Sequence, residues 1–334
     1  MVEKKQPMKQ HKNNNSFSLG VIIPCYNEEE VLPLLFRALN EFADSVNYKV
    51  YFLLVDDGSS DKSFQLIDEQ CEKDERYACI KFSRNFGHQT AVSAGLKNIK
   101  GDLVAVIDAD LQDPPAVIDE MIEKWKKGYD VVYGIRKNRK EGYLLRCAYS
   151  LFYRMLKKVA NIEVPLDAGD FSVMDRKVVD KINSMPEHNR FIRGLRGWVG
   201  FRQTGHEYER MPRAAGEPKY NLKKLFRLAF DGIITLSSFP LKIASWIGGI
   251  SAFFGILYGL YALIDSLFYQ RAPSGWPSLA MLVIFFGGIQ LLVLGIIGEY
   301  IGRIFDETKR RPLYIVNNKS GWLNRKKNGE YSTE

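Results

Sequence analysis

The chain has 334 residues, 46% of them hydrophobic, and a formal net charge of +8 at pH 7. That length exceeds one average domain but does not require two. The basic residues concentrate beside two long apolar segments, which argues against a nucleic-acid partner and favours contact with a membrane. The cysteines have neither zinc nor redox spacing, which fits a reducing compartment and argues against a disulfide framework: Cys25, Cys71, Cys79 and Cys147.

Residues 1–16 are predicted to form a disordered basic tail, because they are polar and lack the apolar core of a cleavable signal peptide. After this tail, segments with strand and helix patterns alternate. Short apolar segments predict buried strands at residues 19–23, 50–55, 79–82, 103–107 and 131–133. Apolar residues at helical spacing predict helices at residues 28–42, 63–71, 89–99 and 114–126. Such repeated βα units imply an α/β fold whose ligands bind beyond the carboxyl ends of parallel strands.

Three polar clusters follow predicted strands, at residues 24–28, 56–59 and 108–110. In the last cluster, Asp108 and Asp110 can converge on one Mg²⁺ or Mn²⁺ ion, which keeps positions open for phosphate oxygens. An acid-rich turn is the alternative, but it would have to explain three acidic strand ends separately. The chain has no dinucleotide-binding Gly-x-Gly-x-x-Gly after the first strand and no P-loop, so a nucleotide diphosphate held through a metal fits better.

Within the first two clusters, two kinds of base contact are open. Asp56 or Asp57 could accept a hydrogen bond from a base N–H group. Tyr26 could stack on the base, but packing within its own loop is the better interpretation of this residue taken alone.

Two uncharged apolar segments, residues 243–264 and 279–298, are long enough to cross a bilayer as helices. Lysines and arginines flank their outer ends, whereas the linker of residues 265–278 carries only Arg271, so both ends are predicted to be cytoplasmic and the linker external. A buried hairpin in a soluble protein is the less favoured alternative. Residues 221–242 are predicted to form an amphipathic juxtamembrane segment that lies either on anionic lipid or on the domain surface. Residues 299–334 would form a cytoplasmic C-terminal segment.

Four N-terminal motifs resemble those of inverting glycosyltransferases of family 2, which have the GT-A fold: Val21-Ile-Ile-Pro-Cys-Tyr-Asn-Glu-Glu29, Val55-Asp-Asp-Gly-Ser59, Ser83-Arg-Asn-Phe-Gly-His88 and Asp108-Ala-Asp-Leu-Gln-Asp-Pro-Pro115. Four later motifs resemble the polyprenyl-phosphate glycosyltransferases, a group that includes bactoprenol glucosyltransferases and, more distantly, dolichol-phosphate mannose synthase: Ala168-Gly-Asp-Phe171, Arg190-Phe-Ile-Arg193, Arg213-Ala-Ala-Gly-Glu-Pro-Lys-Tyr220 and Ile297-Gly-Glu-Tyr-Ile-Gly-Arg303. The resemblance implies a GT-A (Rossmann-like) catalytic domain over residues 17–220, followed by two transmembrane helices. The Gln-x-x-Arg-Trp motif of processive family-2 synthases is missing.

The resemblance also implies roles for individual positions. The nucleotide sugar would contact Pro24, Tyr26, Glu28, Val55, Asp57, Asp108, Ala109 and Gln112. Mg²⁺ or Mn²⁺ would be held on the diphosphate by Asp108, Asp110 and Gln112. Arg136 would contact a phosphate. Candidates for the lipid phosphate, which suits a guanidinium fork, are Arg146, Arg213 and Lys219, with a surface charge as the alternative for each.

Asp170 resembles the family's proposed catalytic base. A phosphate monoester has a second pKa of about 6, however, so a lipid phosphate is already largely dianionic at neutral pH. Asp170 is therefore expected to be essential without acting purely as a proton acceptor, for example by placing an arginine or orienting a sugar hydroxyl. For His88, contact with a phosphate or sugar and a structural hydrogen bond are equally favoured.

The resemblance thus implies inverting transfer of a hexose, with UDP-glucose favoured, to undecaprenyl or another polyprenyl phosphate for cell-envelope glycan modification. Asp170, Asp110 and Arg136 would be the catalytic residues. The protein would be a multi-pass cell-membrane enzyme with both termini and the catalytic domain cytoplasmic, contacting membrane lipids but no nucleic acid. A homo-oligomer is expected, and a tetramer is compatible with the family. The alternatives are a family-2 enzyme acting on a glycolipid hydroxyl and a catalytically silent scaffold that binds nucleotide sugars.

Overall fold

The computed structural model describes residues 17–137, 168–188, 190–211, 239–269 and 276–324. These residues fall into two compact units. The first contains the described residues up to 211 and those from 311 onward, and the second contains residues 239–310 of the described ranges. The chain therefore leaves the first unit, forms the second, and returns to the first.

The first unit is built on one sheet of eight strands with the order β7-β5-β6-β4-β1-β2-β3-β8. The strands are β1 (Ser18–Cys25), β2 (Lys49–Asp56), β3 (Tyr77–Phe82), β4 (Leu103–Val106), β5 (Val131–Lys137), β6 (Ala168–Asp175), β7 (Gln203–Glu209) and β8 (Val316–Gly321). The helices are α1 (Leu32–Ser45), α2 (Ser63–Lys73), α3 (His88–Asn98), α4 (Val117–Lys126), α5 (Arg176–Asn183) and α6 (Ile192–Trp198).

Helices cover both faces of this sheet. On one face α1, α2 and α4 pack against a cluster that includes Val21 and Ile23 of β1. On the other face α3, α5 and α6 pack against a cluster that includes Ile22, because successive side chains of a strand point to opposite sides. Burial on both faces explains why the central strands are continuous apolar runs. Each fully buried side chain of this size contributes about 1.5–3 kcal/mol to stability.

The predicted α/β class is confirmed, and the five predicted strands all form. β4, β1, β2 and β3 are parallel, as predicted. The sheet is mixed, however, because β6 lies antiparallel between β4 and β5. The sequence did not predict β6 because this strand combines Gly169, Asp170 and a buried polar residue, Ser172, which break the apolar pattern.

β7 and β8 are also strands that the sequence did not predict. β8 extends the sheet at β3 in antiparallel orientation. Its sequence is mainly polar and has no apolar alternation. The flanking residues anchor it. The ring of Tyr314 stacks on Phe82 with centroids 4.8 Å apart, and Trp322 is buried beside β2 and donates its indole N–H to the carbonyl of Arg76. Part of the predicted C-terminal segment of residues 299–334 is thus integral to the first unit.

The second unit consists of two long helices, α7 (Phe239–Tyr269) and α8 (Trp276–Lys309). Both contain stretches long and apolar enough to cross a membrane, at Pro240–Tyr261 and Met281–Lys309. The predicted spans lie within these helices. Both helices also extend into the predicted linker of residues 265–278. The start of the predicted juxtamembrane segment, residues 221–238, lies outside the described residues, so the domain boundary at residue 220 remains a prediction.

Candidate active site

The three polar clusters meet at one edge of the sheet, because the parallel strands that precede them are neighbours in the sheet. Cys25 at the end of β1 pairs with Asp56 at the end of β2, and Ile22 pairs with Val106 at the end of β4. Hydrogen bonds join the first two clusters: Asn27 N donates to Ser59 Oγ at 2.9 Å. The convergence that the motif positions predicted is therefore present in the fold.

The two acids after β2 differ in their partners. The Asp57 carboxylate accepts hydrogen bonds from Phe86 N at 2.6 Å and Gly87 N at 2.9 Å, so it orders the loop before α3. Asp56 accepts one bond from Ser59 N, and its buried Oδ2 has no hydrogen-bond partner among the described residues. Burial raises the pKa of both carboxyl groups. The structure leaves room for both kinds of base contact, a base N–H bond to Asp56 or Asp57 and stacking on Tyr26. The Asp57 carboxylate, however, already accepts bonds from backbone N–H groups.

Other expected nucleotide contacts divide into accessible and buried positions. Tyr26 is 41% exposed and available to a ring, and Glu28 is partly exposed beside it. Pro24 and Val55 pair across β1 and β2 and are buried. The side chain of Ala109 is also in the core. Val55 and Ala109 could therefore contact a nucleotide through backbone atoms, which is a narrower role than the motif implied.

Asp108 and Asp110 follow β4 on a sharply turned loop. Asp110 Oδ1 accepts a hydrogen bond from Gln112 N at 3.1 Å, and Leu111 between them has a left-handed φ of 57°. A non-glycine residue in this region costs on the order of 1–3 kcal/mol, and such strain concentrates at functional sites. Asn27, in the first polar cluster, has a φ of 52° and shares this feature.

The electrostatics of this loop fit a hard divalent cation. Burial raises the pKa of Asp108 to about 6, and the charges of Asp170, Asp113 and Asp110 add to this effect, against the opposing charge of His88. A cation would relieve this accumulation of negative charge. Among the described residues, no three histidine, cysteine, aspartate or glutamate side chains form a metal site by themselves. The two carboxylates thus fit Mg²⁺ or Mn²⁺ with substrate phosphates completing the coordination.

Asp170 lies on β6 and is enclosed by residues from two helices. Arg193 of α6 donates from Nε to Oδ1 and from NH2 to Oδ2, each at 2.8 Å. His88 Nε2 lies 3.4 Å from Asp170 Oδ2 and 3.9 Å from Asp108 Oδ1, so the imidazole stands between the two acids. Gln89 also donates to Asp170 Oδ2, at 3.5 Å, and accepts from Ile192 N, which ties α3 to the start of α6.

Arg136 on β5 contacts residues that the sequence did not single out. Its Nε donates to the Tyr208 hydroxyl at 3.5 Å, and its NH2 lies 4.0 Å from Asp113 Oδ2. Arg210 reaches the same region, with NH2 3.9 Å from Asp110 Oδ2. Tyr208 and Arg210 could not be found from motif spacing, because β7 comes next to β5 only through the sheet order.

Arg193 and Asp113, by contrast, stand inside motifs that were recognised, although no role was predicted for either. The three residues expected at the lipid phosphate, Arg146, Arg213 and Lys219, lie outside the described residues. Their roles remain predictions.

Comparison with known proteins gives the family. Residues 20–183 match glycosyl transferase family 2, and residues 239–304 match the GtrB C-terminal hairpin. The glycosyltransferase YkcC of Bacillus subtilis, whose function is uncharacterised, is 48% identical over 308 residues, covering 92% of this chain and 95% of that one. The bactoprenol glucosyl transferase of Shigella phage SfV is 40% identical over 301 residues, covering 90% of this chain and 98% of that one.

Among solved structures, glucosyl-3-phosphoglycerate synthase of Mycobacterium tuberculosis in complex with Mn²⁺, UDP-glucose and phosphoglyceric acid aligns with a TM-score of 0.47. The two chains are 17% identical, and the alignment covers 66% of this chain and 78% of that one, a likeness that concerns the fold alone. The relatives extend over nearly the whole chain, including the hairpin. This chain therefore belongs to glycosyltransferase family 2, in the group whose catalytic domain is followed by a GtrB-type hairpin.

Proposed function

We propose that this protein transfers a hexose, with UDP-glucose the favoured donor, to undecaprenyl or another polyprenyl phosphate with inversion at the anomeric carbon. One observation carries the proposal: His88 lies between Asp108, one of the two acids expected to hold the metal, and the Asp170–Arg193 pair. The expected metal–diphosphate site would thus adjoin a fixed guanidinium that suits a second phosphate. The name of the phage relative, a bactoprenol glucosyl transferase, supports the same acceptor class.

The donor would bind along the edge formed by the first three polar clusters. Its base and ribose would lie against residues 24–28 and 55–57, with Ala109 and Gln112 beside the sugar diphosphate. Asp108, Asp110 and Gln112 would hold Mg²⁺ or Mn²⁺, which neutralises charge on the departing nucleoside diphosphate when bound. Arg136 would add a second positive charge at a phosphate oxygen. These groups act by positioning and charge stabilisation.

The acceptor would attack from the opposite face of the sugar. One lipid phosphate oxygen forms the new bond to the anomeric carbon as the bond to the diphosphate oxygen breaks, and the nucleoside diphosphate leaves. Because the attacking phosphate is largely dianionic near neutral pH, little proton abstraction is required. Asp170 would instead hold Arg193 in a fixed orientation toward the incoming phosphate. Arg146, Arg213 and Lys219 are further candidates for that phosphate.

The hairpin of α7 and α8 would place this chemistry at the membrane surface. Flanking lysines and arginines favour a cell-membrane protein with both termini and the catalytic domain in the cytoplasm. There the site would meet a polyprenyl phosphate among membrane lipids, and its product would serve cell-envelope glycan modification. Fusion of a periplasmic reporter enzyme at residue 272 and of a cytoplasmic one at residue 334 checks this topology. A periplasmic reporter that is inactive at residue 272, or a cytoplasmic reporter that is inactive at residue 334, would contradict this topology.

Transfer from radiolabelled nucleotide sugars to undecaprenyl phosphate in detergent, with Mg²⁺ or Mn²⁺, tests the function. The expected result is an acid-labile lipid product from one donor, lost in Asp110→Asn and Asp170→Asn and retained in Glu69→Gln, an acid on the outer surface of α2. Nucleotide binding without a lipid product from any donor would contradict the acceptor. Release of nucleotide in the presence of glycolipids would then indicate a glycolipid hydroxyl acceptor, and no release at all a silent scaffold.

A further inference from the structure

A buried carboxylate lies directly behind the proposed diphosphate site. Asp113 lies on the loop that also carries Asp108 and Asp110, and its side chain is completely inaccessible to solvent. Its Oδ1 accepts a hydrogen bond from the Tyr208 hydroxyl at 2.5 Å, while Oδ2 has no hydrogen-bond partner in the described part of the chain. A buried carboxylate is costly unless hydrogen bonds or positive charges compensate it. Because it is inaccessible, Asp113 is not expected to bind the cation itself.

Two guanidinium groups stand at the edge of ion-pair distance from this carboxylate. Arg136 NH2 lies 4.0 Å from Asp113 Oδ2, and Arg210 Nε lies 4.0 Å from Asp113 Oδ1. Neither distance allows a direct hydrogen bond to Asp113. The carboxylate therefore attracts both arginines without saturating their N–H groups at these positions. Arg210 also approaches Asp110, with NH2 3.9 Å from Oδ2, so it spans from the buried acid to an expected metal ligand.

Tyr208 connects the buried acid to Arg136. Its hydroxyl donates to Asp113 and accepts from Arg136 Nε at 3.5 Å. Its ring meets Phe171 edge-on, with centroids 5.2 Å apart. Gly134 makes room for this pair, since a Cβ there would lie 2.7 Å from the Tyr208 ring and 2.9 Å from the Phe171 ring. Gly134, two residues before Arg136, therefore cannot be replaced by a larger residue without displacing one of these rings.

The segment after β7 is also attached to the loop. Met211 N donates to the carbonyl of Gln112 at 3.1 Å, and Gln112 Nε2 donates to the carbonyl of Met211 at 3.5 Å. These bonds hold Arg210 between two fixed points, Tyr208 in the sheet and Met211 on the loop. The position of Arg210 near Asp110 is therefore determined by backbone contacts as well as by its charge.

We propose that Asp113, acting with Tyr208, is a positioning residue that aims Arg136 and Arg210 at the donor diphosphate, and that Arg210 is a further contact for that diphosphate. This inference rests on the proposed nucleotide-sugar donor, but not on the identity of the acceptor. A planar guanidinium fork suits phosphate oxygens. In this arrangement the carboxylate of Asp113 would compensate the charges of Arg136 and Arg210 on the protein side, and the phosphate would compensate them on the solvent side.

Equilibrium binding to the full-length protein in detergent, with Mn²⁺ present, tests the proposal. The probes are UDP and uridine, the second lacking the diphosphate, each in competition with labelled UDP. Tyr208→Phe keeps the ring against Phe171 but removes the hydroxyl, and Arg210→Gln removes the charge. The control is Tyr48→Phe, because Tyr48 donates a comparable bond of 3.1 Å to Asp119 on an exposed surface.

Tyr208→Phe and Arg210→Gln are expected to weaken UDP binding about tenfold, the effect of losing one charge-assisted contact, and to leave uridine binding unchanged. Tyr48→Phe should bind both probes as the parent does. If Tyr208 acts through Arg136, its effect should largely disappear in an Arg136→Gln background. Asp113→Asn, which keeps the shape of the side chain, should weaken UDP binding in the same direction.

Two results would overturn the proposal: UDP binding in both variants that equals that of Tyr48→Phe, or an equal loss of UDP and uridine, which indicates general damage. A parent that binds no UDP would contradict the nucleotide donor and this inference together. A parent that shows the expected variant pattern but forms no lipid product would support this inference and contradict only the acceptor.

Discussion

The guanidinium of Arg193 forms two parallel hydrogen bonds with the carboxylate of Asp170, each 2.8 Å long. Burial by itself would raise the pKa of Asp170, but the charge and hydrogen bonds of Arg193, with a smaller contribution from His88, hold it well below its usual range. Asp170 is therefore ionised at neutral pH and is a weak base. This pairing supports a role in which the acid orients an arginine rather than removing a proton.

Arg193→Lys should consequently impair transfer even though it preserves the charge, because an ammonium group cannot form the two-point contact. We expect kcat to fall about 10- to 100-fold in Arg193→Lys and about 100-fold or more in Asp170→Asn, with less than additive loss in the double variant. Steady-state kinetics with saturating donor measures this. Arg76→Lys is the matched control, because Arg76 forms a similar forked pair with Asp74 at a partly buried position directly before β3. Equal activity of Arg193→Lys and Arg76→Lys would contradict the assigned role.

The central part of the site could be predicted from sequence because it depends on strand ends. Apolar runs predict β1, β2 and β4, and the acids that follow such strands must meet at one edge of a parallel sheet. Asp57, Asp108 and Asp110 are therefore visible in the sequence. Tyr208 and Arg210 are not, because they lie on β7 and directly after it, and the place of β7 depends on pairing across the sheet. Arg193 lies inside a recognised motif, but its contact with Asp170 depends on where α6 packs.

The same limit applies to β8. Its polar sequence carries no strand pattern, and its residues pair with β3 only because the chain returns to the catalytic unit after α8. Burial of Trp322 and the stack of Tyr314 on Phe82 supply the energy that local propensity lacks. Tertiary context of this kind cannot be read from a single sequence.

Removal of divalent cations should abolish transfer and be reversible. EDTA should eliminate the lipid product, and added Mn²⁺ or Mg²⁺ should restore it. We expect Asp108→Asn and Asp110→Asn to weaken UDP-dependent Mn²⁺ binding by more than about tenfold, because each removes an expected oxygen ligand. Electron paramagnetic resonance of Mn²⁺ measures this binding without relying on activity. Glu69→Gln is the control, and full transfer by the parent in EDTA would count against metal dependence.

The C-terminal residues should stabilise the catalytic unit. Trp322 is buried, donates its indole N–H to the carbonyl of Arg76 at 3.2 Å, and lies under the ammonium of Lys100 at 4.5 Å. Trp322→Ala should lower the free energy of unfolding by about 3–5 kcal/mol. Trp198→Ala, at a tryptophan that is 66% exposed, should change it by less than about 0.5 kcal/mol. Thermal unfolding in detergent measures both, and equal melting temperatures would show that the C-terminal segment adds no stability.

One glycine of α7 lies against α8. A Cβ at Gly255 would lie 3.0 Å from the ring of Phe286, whereas, apart from the nearby backbone of α7 itself, no described atom lies within 4 Å of a Cβ at Gly259, one turn further along α7. Of these two residues, which have the spacing of a helix contact, only Gly255 therefore faces α8. Small residues allow close helix packing in membranes, where apolar side chains alone give no preference for a partner helix over lipid.

Gly255→Leu should therefore separate the helices, at a cost of about 1–3 kcal/mol. Gly259→Leu adds the same side chain at an open position, and it should leave stability unchanged or raise it, because leucine favours the helix over glycine by about 0.8 kcal/mol. Thermal unfolding of the detergent-solubilised protein, followed by circular dichroism, compares the two variants. A Gly259→Leu protein that melts as early as Gly255→Leu would mean that the added bulk, rather than the contact with Phe286, determines the stability of the hairpin.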